Sequence, residues 1–107
     1  MSEYLERLRI VPQFRPDEYD RLRATVMGRL ERRLSRWEPE QIELELSVKE
    51  RDTPSQRVVL ECWLAGVPKL VATSNNGDLD RGVLEVRDDL RRQVNRFVER
   101  RETARHR

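Results

Sequence analysis

Residues 78–101 read DLDRGVLEVRDDLRRQVNRFVERR. Within them Leu79, Val83, Val86, Leu90, Val94 and Phe97 recur at steps of three and four. That spacing puts them in one apolar stripe on a 3.6-residue period, so the stretch is expected to form a long amphipathic helix with the stripe buried. Arg92, Arg96 and Arg100 follow at steps of four on another face, a ladder of guanidiniums about one turn apart that stays in water or meets an anion. Upstream, Ser74-Asn75-Asn76-Gly77 is turn chemistry, and Asp78 can accept hydrogen bonds from the first free backbone amides, with Asp80 close to the positive end of the dipole. The helix is therefore expected to begin at about Asp78. No Gly or Pro stops it, but apolar periodicity ceases after Val98 and the chain turns to charge, so fraying is expected beyond Arg101 into a disordered basic tail, residues 102–107.

Working back towards the N-terminus, Ala65-Gly66-Val67-Pro68 makes a tight connection out of an alternating run, Val58, Leu60, Cys62 and Leu64, and into a short strand from Lys69 to Thr73. Gln41 to Glu50 alternates strictly, with Ile42, Leu44, Leu46 and Val48 on one face and Glu43, Glu45, Ser47 and Lys49 on the other. Arg51-Asp52-Thr53-Pro54-Ser55 joins these two runs as a hairpin. A second amphipathic helix precedes them. Pro16, Asp17 and Glu18 suit its first turn, Tyr19, Leu22, Val26, Leu30, Leu34 and Trp37 form its apolar stripe, and Arg21, Arg29, Arg32 and Arg36 gather on another face before Pro39 closes it. Tyr4 to Val11, with Leu8 and Ile10 alternating with Arg7 and Arg9, reads as a short strand ended by Pro12. The order is β-α-β-β-β-α, an α+β domain. The crossover helix allows the first two strands to be parallel, the short links impose antiparallel pairing on the rest, and the single stripes put both helices on one side of a four-stranded mixed sheet. Gly28 and Gly82, each inside a helix, are expected where backbones approach closely.

Bulk properties agree. A chain of 107 residues is one domain, taken as residues 1–101, and 36% hydrophobic against 39% charged residues leaves only a thin core. The net charge of +2 conceals segregation: residues 21–36 hold six Arg and one acid, residues 86–107 eight Arg and four acids, and residues 38–64 seven acids and three bases. Both basic blocks fall on the expected helices. The single Cys62 reads as a buried thiol, and the lone His106 lies in the tail, so neither a disulfide framework nor a metal set is expected. Met-Ser-Glu with no apolar run behind it, and no stretch of membrane-spanning length, lead to the expectation of a cytosolic protein.

The element order, the strand Ile42 to Glu50 running into Arg51-Asp52, and above all Asp89-Leu90-Arg91-Arg92-Gln93-Val94-Asn95-Arg96 resemble the ribosome hibernation promoting factor family, which includes the ribosome-associated inhibitor A proteins. The resemblance runs from about Leu8 to Arg101. It implies a fold like that of double-stranded-RNA-binding domains and an inhibitor that occupies the decoding channel of the small ribosomal subunit, excluding messenger and transfer RNA during stress or stationary phase. The partner it implies is small-subunit ribosomal RNA, with no small-molecule substrate and no cofactor. The basic positions that match the family's RNA contacts are Arg29, Arg32 and Arg36 in the first helix and Arg92, Arg96 and Arg100 in the second. The family's long members add a dimerising C-terminal domain, and this chain resembles the short form.

Two other classes follow from the residues alone. Val59 and Trp63 fall on the strand face that the helices leave uncovered, which suits a protein-interaction or homodimerising module. Catalysis is not expected: no nucleophile stands beside a base and no glycine loop is present to cradle phosphates.

Overall fold

In the computed structural model, residues 4–105 other than Pro12 are described, with side chains as far as Arg100. Strand β1 is Leu8–Ile10, helix α1 Tyr19–Leu34, strands β2, β3 and β4 are Ile42–Lys49, Arg57–Leu64 and Leu70–Ser74, and helix α2 is Leu79–Arg105. The sheet order is β1-β2-β3-β4. β1 lies parallel to β2, and β3 pairs antiparallel with both β2 and β4. This is the α+β arrangement the periodicities imply. The register aligns Ile10, Leu46, Leu60 and Ala72 across all four strands. Because strand side chains alternate with a period of two, that alignment gives the sheet one continuous apolar face.

Both helices pack on that face. Leu22, Val26, Leu30, Leu34 and Trp37 of the first stripe and Val83, Val86, Leu90 and Val94 of the second are buried against Ile42, Leu44, Leu46, Val58 and Leu60. Trp37 also donates from its indole N–H to the Ala65 carbonyl at 3.1 Å, so its one polar atom is satisfied inside the core. Cys62 is fully buried, and desolvation pushes its thiol up to about 12, leaving it inert at neutral pH.

Local structure departs from the sequence reading in five places. Helix α1 ends at Leu34, so Arg36 and Trp37 lie past it, and Pro39 opens a 3-10 turn, Pro39–Gln41, instead of closing the helix. Tyr4 to Arg7 do not extend the first strand; Leu5–Arg7 form a 3-10 turn in which Arg7 donates to the Ile42 carbonyl at 2.9 Å, holding that edge by a side chain instead of a ladder. The proposed end of the strand at Pro12 lies outside the described residues. Helix α2 continues to Arg105, four residues past the expected end, since Glu102, Ala104 and Arg105 are ordinary helix formers with nothing to break the run; the last two residues of the expected tail are outside the described part. Of the two helical glycines only Gly82 sits at a close approach, where a Cβ would stand 3.0 Å from a Val58 methyl; nothing lies within 4 Å of the Gly28 position. The reading also passed over Phe14, which is buried beneath the loop into α1 with the Arg51 guanidinium 5.8 Å from its ring centroid.

That guanidinium ties the hairpin turn to the start of α1. Arg51 holds Glu18 through two bonds of 3.0 Å and donates to the Gln13 carbonyl at 2.9 Å. Arg51 is the main reason the Glu18 carboxyl is held below its ordinary value, with the Arg15 backbone N–H adding to it and partial burial opposing. A depressed carboxyl stabilises the fold above its unfolded value of 4.5 and loses that contribution as the pH falls through the folded value. Glu18→Gln is therefore expected to cost about 1.5–3 kcal/mol at pH 7. Urea titrations of variant and parent should converge in acid, and a gap that stays constant down to pH 3 would show that the ion pair contributes little.

Candidate nucleic-acid interface

Helices α1 and α2 run in the same direction, and two contacts fix which flanks meet. At their N-terminal ends Arg21 of α1 bonds both carboxylate oxygens of Asp80, at 3.1 and 3.2 Å. Further along, Arg87 of α2 donates to the Thr25 carbonyl of α1 at 3.3 Å while its Nε and Nη2 hold Asp88 at 3.0 and 2.9 Å. Each helical residue advances about 100°, so Arg91 stays within about 40° of Arg87 on the α2 flank that faces α1, and Asn95, about 80° from Arg87, lies at the outer edge of that flank. On α1, Arg29 and Arg32 follow Arg21 and Thr25, and Arg36 lies beyond the helix end. The groove between the helices is thus closed by ion pairs at its N-terminal end and lined by arginines towards its C-terminal end.

The other flank of α2 faces β4. Gln93 donates to the Val71 carbonyl at 2.9 Å, and Glu85 accepts from the Ser74 hydroxyl at 3.1 Å and from the Asn76 amide at 3.3 Å. These contacts decide where the second arginine ladder goes. A row at steps of four drifts about 40° per step around the helix. Arg92, Arg96 and Arg100 therefore wind from the outer crest of α2 towards the β4 side, away from the groove. Arg92 lies 3.9 Å from Asp89 and borders a recess with Asn75, Asn76 and Glu85. By the same turn count Arg29 and Arg32 continue the α1 flank marked by Thr25, Arg36 lies past the helix end, and Arg92, Arg96 and Arg100 form a second strip on the outer flank of α2.

No protein-family model matches the chain. No curated protein matches it either. The functional reading therefore rests on the residues and their geometry.

Among the described residues Arg29, Arg32, Arg91, Arg96 and Arg100 have no carboxylate partner, whereas Arg21 has two, Glu18 and Asp80, and Arg51, Arg87 and Arg92 have one each. Arg91 Nε and Asn95 Oδ1 are buried without a hydrogen-bond partner. A buried polar atom left unpaired costs about 1–3 kcal/mol, and three guanidiniums without counter-charge raise the local potential further. The groove's C-terminal half is in consequence a place where an anion with additional hydrogen-bonding groups lowers the free energy. Among the described residues no three His, Cys, Asp or Glu side chains gather as metal ligands, and no helix is long and apolar enough to cross a membrane.

Arg87, Arg91 and Asn95 were not singled out in the sequence. They too recur at steps of four, but periodicity alone does not say which polar flank faces the neighbouring helix. The order of strands would have said so: α1 precedes β2 and α2 follows β4, so the α2 flank opposite its β4 contacts must border α1.

Proposed function

We propose that the protein is a ribosome-associated translation inhibitor that binds small-subunit ribosomal RNA in the decoding channel and blocks messenger and transfer RNA, acting in the cytoplasm during stress or stationary phase. The observation that carries this reading is the set of uncompensated arginines, Arg29, Arg32 and Arg91, in a groove between parallel helices of a hibernation-factor-like β-α-β-β-β-α domain. A ridge-and-groove surface with guanidinium forks suits folded RNA, which is recognised by its phosphates and 2′-hydroxyls and by its shape. Arg36, Arg96 and Arg100 extend the same positive field along the exposed helical side, so a long RNA segment meets about six guanidiniums. Binding is then mainly electrostatic, and inhibition follows from occlusion alone, with no bond made or broken.

The test is co-sedimentation with purified small subunits across a salt series, with and without a messenger RNA bound in the channel. For about six phosphates neutralised, the logarithm of affinity should fall with the logarithm of salt at a slope of roughly −4 to −5, and messenger RNA should displace the protein. Simultaneous pelleting of protein and messenger RNA on one subunit, or no pelleting at low salt, would rule the reading out.

A further inference from the structure

The sheet face opposite the helices carries a pattern that complements itself. Along β2 the outward side chains are Glu43, Glu45, Ser47 and Lys49, and along β3 they are Arg57, Val59, Glu61 and Trp63; Val59, expected with Trp63 to be open, is only 8% exposed, so of that pair Trp63 alone is a free apolar surface. Leu46 pairs with Leu60 at the centre of the two strands. A two-fold axis laid across the strands at that pair superposes Lys49 on Glu43, Ser47 on Glu45, Arg57 on Trp63 and Val59 on Glu61 of a second copy. Every pair is compatible: ammonium with carboxylate, hydroxyl with carboxylate, guanidinium with indole, and isopropyl with a carboxylate's aliphatic stem.

The groups at the two ends are available for this. Glu43, Lys49 and Arg57 are exposed and have no partner among the described residues. Trp63 is 38% exposed, a large aromatic left in water; Lys69 already stands over its ring, 5.1 Å from the centroid, so Arg57 of a second copy takes the edge or the other face. The inner charges bring no uncompensated charge to an interface, because Glu45 pairs with Arg9 at 3.6 Å and Glu61 with Lys69. Aligned sheets cross at about 30°, which displaces positions three residues from the axis by about 5 Å, a gap that the long side chains of Lys49 and Arg57 can span.

We propose that the uncovered face is a homodimer interface, two copies packed sheet to sheet with Lys49 of each on Glu43 of the other and Arg57 on Trp63. Four strands of this length offer roughly 400–500 Å² per copy, at the low end of specific interfaces, so association is expected in the micromolar range. The dimer leaves both helical sides outward and does not depend on what the helices bind.

Sedimentation equilibrium from about 5 μM to 1 mM tests it, a range that brackets such affinities. The protein should pass from monomer to dimer, with Trp63 emission moving to shorter wavelength as it associates. Glu43→Lys and Lys49→Glu each turn two symmetry-related attractions into repulsions and should weaken association by about tenfold or more. The double variant Glu43→Lys/Lys49→Glu restores both pairs and should return to within about threefold of the parent. A monomer throughout the range, a dimer indifferent to the single changes, or a double variant no better than its parents would each overturn the proposal. All of these positions are exposed, and an unchanged thermal transition certifies each variant.

Discussion

Charge reversal at Arg29, Arg32 and Arg91 together is expected to weaken small-subunit binding on the order of a thousandfold near ~0.1 M salt and to flatten the salt dependence by about three units of slope, one for each phosphate contact removed. The expectation rests on their shared flank and missing counter-charges: each guanidinium replaced by a carboxylate loses an attraction and gains a repulsion inside a groove, where walls of low dielectric strengthen both. The comparison variant, Arg92→Glu/Arg96→Glu/Arg100→Glu, changes formal charge by the same amount. If net charge alone governed binding the two would behave alike. With the groove as the main site, the outer-strip variant should lose less, about a hundredfold or below, because only Arg96 and Arg100 of that strip meet the RNA and both do so at the edge of the surface. Pelleting curves read side by side decide between these outcomes, and a greater loss in the outer-strip variant would move the interface to the crest of α2.

The largest expected loss of stability from a polar substitution lies at Gln56, which is 2% exposed. Its side-chain carbonyl accepts from the Asp52 backbone N–H at 3.0 Å, and its amide donates to the carbonyls of Asn76 and Gly77 at 3.1 and 3.3 Å. One side chain thus ties the β2–β3 turn to the loop that launches α2. Gln56→Leu fills the same space and strands three backbone groups, at a cost of about 3 kcal/mol, which for a domain of this size lowers the thermal midpoint by roughly 15 °C. Gln56→Glu should be worse at pH 7 than at pH 4, because an ionised carboxylate would face two carbonyl oxygens and protonation restores a donor. Calorimetry of the two variants checks both statements. Because Gln56 anchors the start of α2, its loss also loosens the arm of the groove that carries Arg91.

How much of this could be read from the chain depends on the kind of information each feature needs. The strict alternation of Ile42 to Lys49 and the three-and-four spacing of Val83, Val86, Leu90 and Val94 are single-element signals, and both elements formed with the expected faces buried. Asp78 was legible as the cap of α2 for the same reason, and its carboxylate accepts from the Arg81 N–H at 3.2 Å. Phe14 and Gln56 were not legible: each sits in a loop without periodicity, and each is buried by what other loops place over it. The candidate site falls between these cases. Arg29 and Arg32 continue the α1 flank that Thr25 marks, but a step-of-four row on α2 could be either of two polar flanks; strand order points to one, and the contacts of Arg87 with Thr25 and of Gln93 with Val71 show it directly.

The most direct measurement is a density map of the protein bound to the small ribosomal subunit. It should show the cleft between α1 and α2 seated on the ribosomal RNA backbone inside the messenger path, with phosphates against Arg29, Arg32 and Arg91. A map in which that cleft faces solvent, or in which the open sheet touches the RNA, would contradict it.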